Sequence, residues 1–113
     1  MPLNLFAGIY VSDFAAVLPW YQRLLGSEPT FFATDTEAVW QLAEHRWLYV
    51  KEHPEHGGHA VLAIMVEDLD AHVAQIAERG IEPADWEVYS DDVRKAVYRD
   101  PEGNEVGFGV ISG

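Results

Sequence analysis

The chain has 113 residues, 49% of them hydrophobic, and no cysteine, which fits a single globular domain and excludes disulfides, thiol catalysis and thiolate metal sites. Nineteen acidic residues against seven basic ones give a formal charge of −12, a field that repels nucleic acid and anionic membrane surfaces and favours a cationic ligand, unless it serves only solubility. No apolar run reaches the ~20 residues of a membrane span, and the start "MPLNLFAGIYVSDF" lacks the basic region and cleavage site of a signal peptide, so a cytoplasmic location is expected.

Residues 3–11, "LNLFAGIYV", have the β-branched and aromatic character of a strand. Ser12 or Asp13 then caps a helix whose apolar positions Phe14, Val17, Leu18, Tyr21, Leu24 and Leu25 share one face. Gly26 ends that helix, and Pro19 inside it is expected to kink it. Three short strands follow at 28–34, 37–43 and 46–51. Residues 53–58 contain His53 and His56 beside Pro54, Gly57 and Gly58, and read as a flexible linker. A strand at 59–66 leads into a helix capped by Asp68, with Leu69, Val73, Ile76 and Ala77 on one face and Gly80 at its end. Strands near 82–89, 93–99 and 105–110 complete the chain. "DPEGN" at 100–104 joins the last two as a type I turn.

The order of elements is therefore written twice. "YVSDFAA" matches "MVEDLDA", and "EPT" and "AVW" match "EPA" and "AVY" at nearly the same offset. The reading is an α+β domain over 1–113: a βαβββ module at 1–52, a linker at 53–58 and a second module at 59–113. Strand alternation sends Leu3, Leu5, Ala7, Ile9 and Val11 under the first helix, with Phe6, Gly8 and Tyr10 on the far face. Ala60, Leu62, Ile64 and Val66 take the helix side of the strand at 59–66, leaving His59, Val61, Ala63 and Met65 opposite. Leu48 and Val50 turn inward, Trp47 and Tyr49 outward. In the last strand Val106 and Phe108 turn inward and Gly107 outward. The second face is thus aromatic and glycine-bearing, which suits a cleft.

The two modules, "VSDFAAVLPWYQRLLG", "HAVLAIMVEDLDAHVAQIAERGIEP" and "KAVYRDPEGNEVGFG" together resemble the vicinal oxygen chelate superfamily, the glyoxalase, bleomycin-resistance and dioxygenase group. The resemblance implies a cupped eight-stranded mixed sheet around a cleft, and commonly a homodimer. It also implies four metal-ligand positions, which fall here on Phe6, Val61, Gly107 and a residue near Trp47. None of these side chains coordinates a divalent ion, which needs imidazole nitrogen or carboxylate oxygen. No cofactor is therefore expected. The function expected from the resemblance is metal-independent binding of an aromatic or cationic small molecule, after the manner of bleomycin-resistance proteins. Phe6, Tyr10, Trp40, Trp47, Tyr49, His59, Val61 and Gly107 are the candidate ligand-binding residues. The alternative is a glyoxalase-, isomerase- or dioxygenase-type metalloenzyme with atypical ligands such as His59 and Glu105. A regulatory or structural domain with a solid core instead of a cleft is a third.

Overall fold

In the computed structural model, which describes residues 3–90 and 92–111, both helices start where an aspartate caps them. The Asp13 carboxylate accepts the Ala16 amide at 3.2 Å, and Asp68 accepts the Ala71 amide at 3.1 Å. Each satisfies a donor that a first helical turn leaves without an internal partner. Helix α1 (Phe14–Leu25) stops at Gly26, whose φ of 78° is left-handed and suits glycine. Helix α2 (Leu69–Glu78) is followed by Gly80 at φ 91°. Pro19 lies on the exposed side of α1, and the helix runs through it without a break.

The strands are β1 (Leu5–Val11), β2 (Phe31–Thr34), β3 (Glu37–Ala43) and β4 (Arg46–Glu52) in module one. Module two has β5 (Val61–Met65), β6 (Asp85–Ser90), β7 (Val93–Arg99) and β8 (Glu105–Ile111). The α+β fold of two βαβββ modules is present, its eight strands divided into two four-stranded mixed sheets ordered β1-β4-β3-β2 and β5-β8-β7-β6. In each, the helix carries the chain over the sheet, so the first strand pairs in parallel with the last, while the remaining pairs are antiparallel hairpins.

One hydrophobic cluster spans both modules. Ile9, Val11, Leu48 and Val50 from module one join Ile76, Tyr98, Val106 and Phe108 from module two beneath the helices. Burying each such aliphatic side chain contributes about 1.5–3 kcal/mol. The expected inward face of β1 holds only for its second half: Ile9 and Val11 are fully buried, but Leu3 is 76% and Leu5 61% exposed. Leu3 lies ahead of the strand, and Leu5 is its first residue.

Polar ties fix the modules to each other. The "DPEGN" turn closes through the Gly103 amide donating to Asp100 O, as expected, but its side chains reach far beyond a turn. Asn104, fully buried, donates from Nδ2 to Tyr10 O and accepts the Ala60 amide at Oδ1. Asp100 accepts the Tyr21 hydroxyl at 2.7 Å. Glu102 accepts the amides of Ser12 and Asp13 at the entry of α1. At the opposite end, the Arg79 guanidinium donates to the carbonyls of Arg23 and Leu24. Module two thus grips α1 at both ends, with an anion at its positive terminus and a cation at its negative one.

Residues 53–58 are also pinned and do not run as a free linker. His53 N donates to Val11 O and Gly58 N to Tyr10 O. A Cβ on Gly58 would meet Glu102 O at 2.8 Å, so glycine is needed where this segment passes under the turn.

Candidate functional site

The outward face of module one is built from β1 and β4. Their parallel register sets Phe6 beside Trp47 and Gly8 beside Tyr49. Phe6 and Trp47 stack with ring centroids 5.4 Å apart and planes 8° from parallel. Phe31 from β2 meets Trp47 edge-on at 6.2 Å, and the Trp47 indole donates to Asn4 Oδ1 at 3.3 Å. The Tyr49 ring lies across Gly8, so closely that a Cβ there would collide with its Cζ. Tyr10 packs against His53 at a tilt, ring centroids 4.6 Å apart, and His53 against His56 likewise at 4.8 Å. These packed rings are the face on which the sequence placed Phe6, Tyr10, Trp47 and Tyr49.

Trp40 stands apart from them. It is 2% exposed, on the helix side of β3, and its indole donates to Ser27 O at 3.1 Å. His59 precedes β5 and is exposed in the connection, outside any strand. Val61 is 71% exposed and Gly107 buried, both on the outward face of module two. The register also narrows the position near Trp47. Val61 pairs with Glu105 and Ala63 with Gly107, as Phe6 pairs with Trp47 and Gly8 with Tyr49. The counterpart of Gly107 is therefore Tyr49, and that of Trp47 is Glu105.

Lys95, which the sequence did not single out, fills the space over Gly107. Its stem would meet a Cβ at 2.7 Å, and its ammonium reaches Glu87 at 3.2 Å and Glu105 at 3.9 Å. Arg99 meets Glu105 from the other side at 3.2 Å. The hydrogen bond to Glu87 raises the Lys95 pKa above its ordinary value, so the ammonium stays charged. The signal was the glycine: a residue without a side chain on an otherwise filled face leaves room for a long neighbour.

This donor set does not fit the metal centre that the superfamily implies. Three of the four implied positions carry hydrocarbon or hydrogen, and the fourth, Tyr49, carries a phenol. Among the described residues no three His, Asp or Glu side chains come together as ligands. Glu105, the best remaining donor, is already held by Arg99 and Lys95.

Where the two modules meet, a groove of about 1020 Å³ opens beside the sheets. Its walls are the start of β1, the end of α1, the β3–β4 hairpin and β5 from Leu62 to Met65, with His72 and Phe108 behind. Of the candidate residues, Trp40 and Trp47 line it. Trp47 therefore belongs both to the aromatic face and to the groove. Burial, followed by the positive charge of Arg79, holds the His72 pKa below its ordinary value of 6.5, so this wall residue is neutral at pH 7.

A family model described as a glyoxalase-like domain matches residues 7–108. A glyoxalase/bleomycin resistance protein from Catenulispora acidiphila is 55% identical, with 98% of this chain aligned to 100% of that one at a TM-score of 0.94. The bleomycin resistance determinant encoded on transposon Tn5 is 17% identical over 99% of this chain and 100% of its own, at a TM-score of 0.78. A lactoylglutathione lyase from Agrobacterium tumefaciens is 18% identical over 97% and 94%, at 0.73. These last two share the fold alone. No curated protein matches the chain. Among the described residues no helix is long and apolar enough to cross a membrane.

Proposed function

The chain belongs to the glyoxalase-like domain family of the vicinal oxygen chelate superfamily, and from that premise we propose that it binds a small aromatic molecule without a metal and sequesters it. The observation that carries this reading is Trp47, a partly exposed ring stacked on Phe6 that also walls the groove. The groove offers a volume of about 1020 Å³, comparable with the ~300–1,000 Å³ of small-molecule pockets. Affinity would arise from removing apolar surface from water and from ring stacking worth about 0.5–1.5 kcal/mol per pair.

The same reading has two copies of the chain pairing. Phe6, Val61 and Met65, at 48%, 71% and 53% exposure, give each module's outward face an apolar surface for a partner to cover. Sedimentation at micromolar concentration should then show a dimer.

Titration of planar aromatic compounds against tryptophan fluorescence tests the binding. Saturable quenching is expected, and Trp47→Ala should weaken it roughly 2- to 10-fold, the range that the stacking energy allows. A panel of such compounds giving no saturable change would remove sequestration as the function.

A further inference from the structure

The groove differs in charge from the protein that contains it. Nineteen of the 113 residues are acidic, yet among the described residues the groove wall carries no Asp or Glu. Its polar members are Ser27, Gln41, Arg46 and His72, and everything else is apolar. Arg46 is exposed at the start of β4, next to Trp47, and no carboxylate of the described residues lies within ion-pair distance of it. Of the basic side chains of module two, Arg94, Lys95 and Arg99 are paired with Asp70, Glu87 and Glu105, and Arg79 is engaged by the carbonyls of Arg23 and Leu24.

An apolar wall with one unpaired guanidinium selects by charge. A cation entering it would lose hydration without gaining a counter-ion, a costly transfer. A carboxylate would exchange water for the forked donors of arginine, which match its two oxygens. The net charge of −12 acts through solvent and is screened over a Debye length of about 8 Å at physiological salt, so the group in contact with the ligand decides. Building on the proposed binding function, we infer that the groove takes an aromatic carboxylate or similar amphipathic monoanion, its ring against Trp47 and its anionic end on Arg46. This reverses the preference for a cation that composition alone suggests.

Three probes with one ring system separate the terms: 1-naphthylacetate, 1-(1-naphthyl)ethylamine and 1-naphthaleneethanol, titrated against the full chain by tryptophan fluorescence. The acetate should bind roughly tenfold or more tightly than the alcohol, consistent with a charge-assisted hydrogen bond, and the amine most weakly. Arg46→Gln should bring the acetate down to the level of the alcohol and weaken the alcohol itself far less. Arg46 is exposed, so the variant should fold, which circular dichroism checks. Equal or tighter binding of the amine, or an acetate preference that survives Arg46→Gln, overturns the assignment. If none of the three binds, the binding function itself fails, and the charge preference with it.

Discussion

Phe6 and Val61 hold the same place in their modules, each on an edge strand paired in parallel with the last strand of its sheet. Around Phe6 the face fills with rings: Trp47, Phe31 and Tyr49. Around Val61 it fills with charge: Glu105, Lys95 and Arg99. The backbone beneath is the same. What differs is which strand supplies the bulk. In module one a large residue on β4, Tyr49, lies over a glycine on β1, whereas in module two a long residue on β7, Lys95, lies over a glycine on β8. A duplicated fold therefore constrains the inner faces, where both helices must pack, and leaves the outer faces free to diverge. The modules also differ in their mutual support. Module two caps both ends of α1, while α2 receives no side-chain hydrogen bond from module one among the described residues.

The largest expected effect tests that one-sided support. Asn104→Ala removes the partner of the Ala60 amide at a fully buried position, and takes one donor from the Tyr10 carbonyl, which Gly58 N also reaches, and one from the Asp100 carboxylate. Leaving buried groups unpaired costs about 1–3 kcal/mol each, so urea unfolding should show a loss of about 3 kcal/mol. A loss no larger than that of an exposed substitution would mean that the modules do not depend on this turn. Second in size is the exchange of outer-face glycines. Gly8→Ala drives a Cβ into the Tyr49 ring, which must swing out, at a cost of about 1–3 kcal/mol. Ala63, its counterpart, is exposed and pairs with Gly107, so a substitution there to serine should leave the thermal midpoint nearly unchanged.

The local features of this asymmetry were legible and the tertiary ones were not. Asp13, Gly26, Asp68 and Gly80 punctuate the helices through their own backbone neighbours, so the repeat could be read directly. The outward placing of Phe6, Trp47 and Tyr49 followed from alternation alone. Glu102 capping α1 could not be anticipated, because it joins residues about ninety positions apart. The same holds for the groove, whose walls come from both modules. The aromatic character of Trp40 suggests a ligand-facing role, but alternation sets it beside Leu48 on the helix side. The strand expected from His59 onward begins two residues later, at Val61. Leu3 and Leu5 show the limit of a period-2 pattern: it states which way a side chain points, not whether anything covers it.

A smaller effect of opposite sign contrasts Trp40 with its counterpart Tyr98. Both are buried under a helix, but the Trp40 indole reaches Ser27 O, whereas the Tyr98 hydroxyl has no partner among the described residues. Burial, with the negative charge of Glu82, pushes the Tyr98 pKa up to about 12, so it stays a neutral phenol. Tyr98→Phe removes an unpaired polar atom and should stabilise the protein by up to about 1 kcal/mol. Trp40→Phe should destabilise it. A destabilising Tyr98→Phe would show that the hydroxyl has a partner after all.

The smallest effect is one of slope, at His72, where module one carries Val17 at the matching position of α1. The imidazole packs 4.5 Å from the Phe108 ring, and its Nε2 is buried without a partner. Its pKa in the folded chain lies below the value of 6.5 that it regains on unfolding. Above pH 6.5 the group is neutral in both states, so its contribution to stability is fully present. As pH falls below that, the unfolded chain binds a proton that the folded chain resists, and stability is lost. His72→Val makes the second helix like the first at this point. It forfeits some ring contact at every pH, so the absolute stability is not the test. The test is the change in unfolding free energy between pH 7.5 and pH 5, which should be smaller in the variant than in the parent. Equal slopes would assign the acid sensitivity to the remaining histidines and carboxylates, and would leave the two helices electrostatically alike at this position.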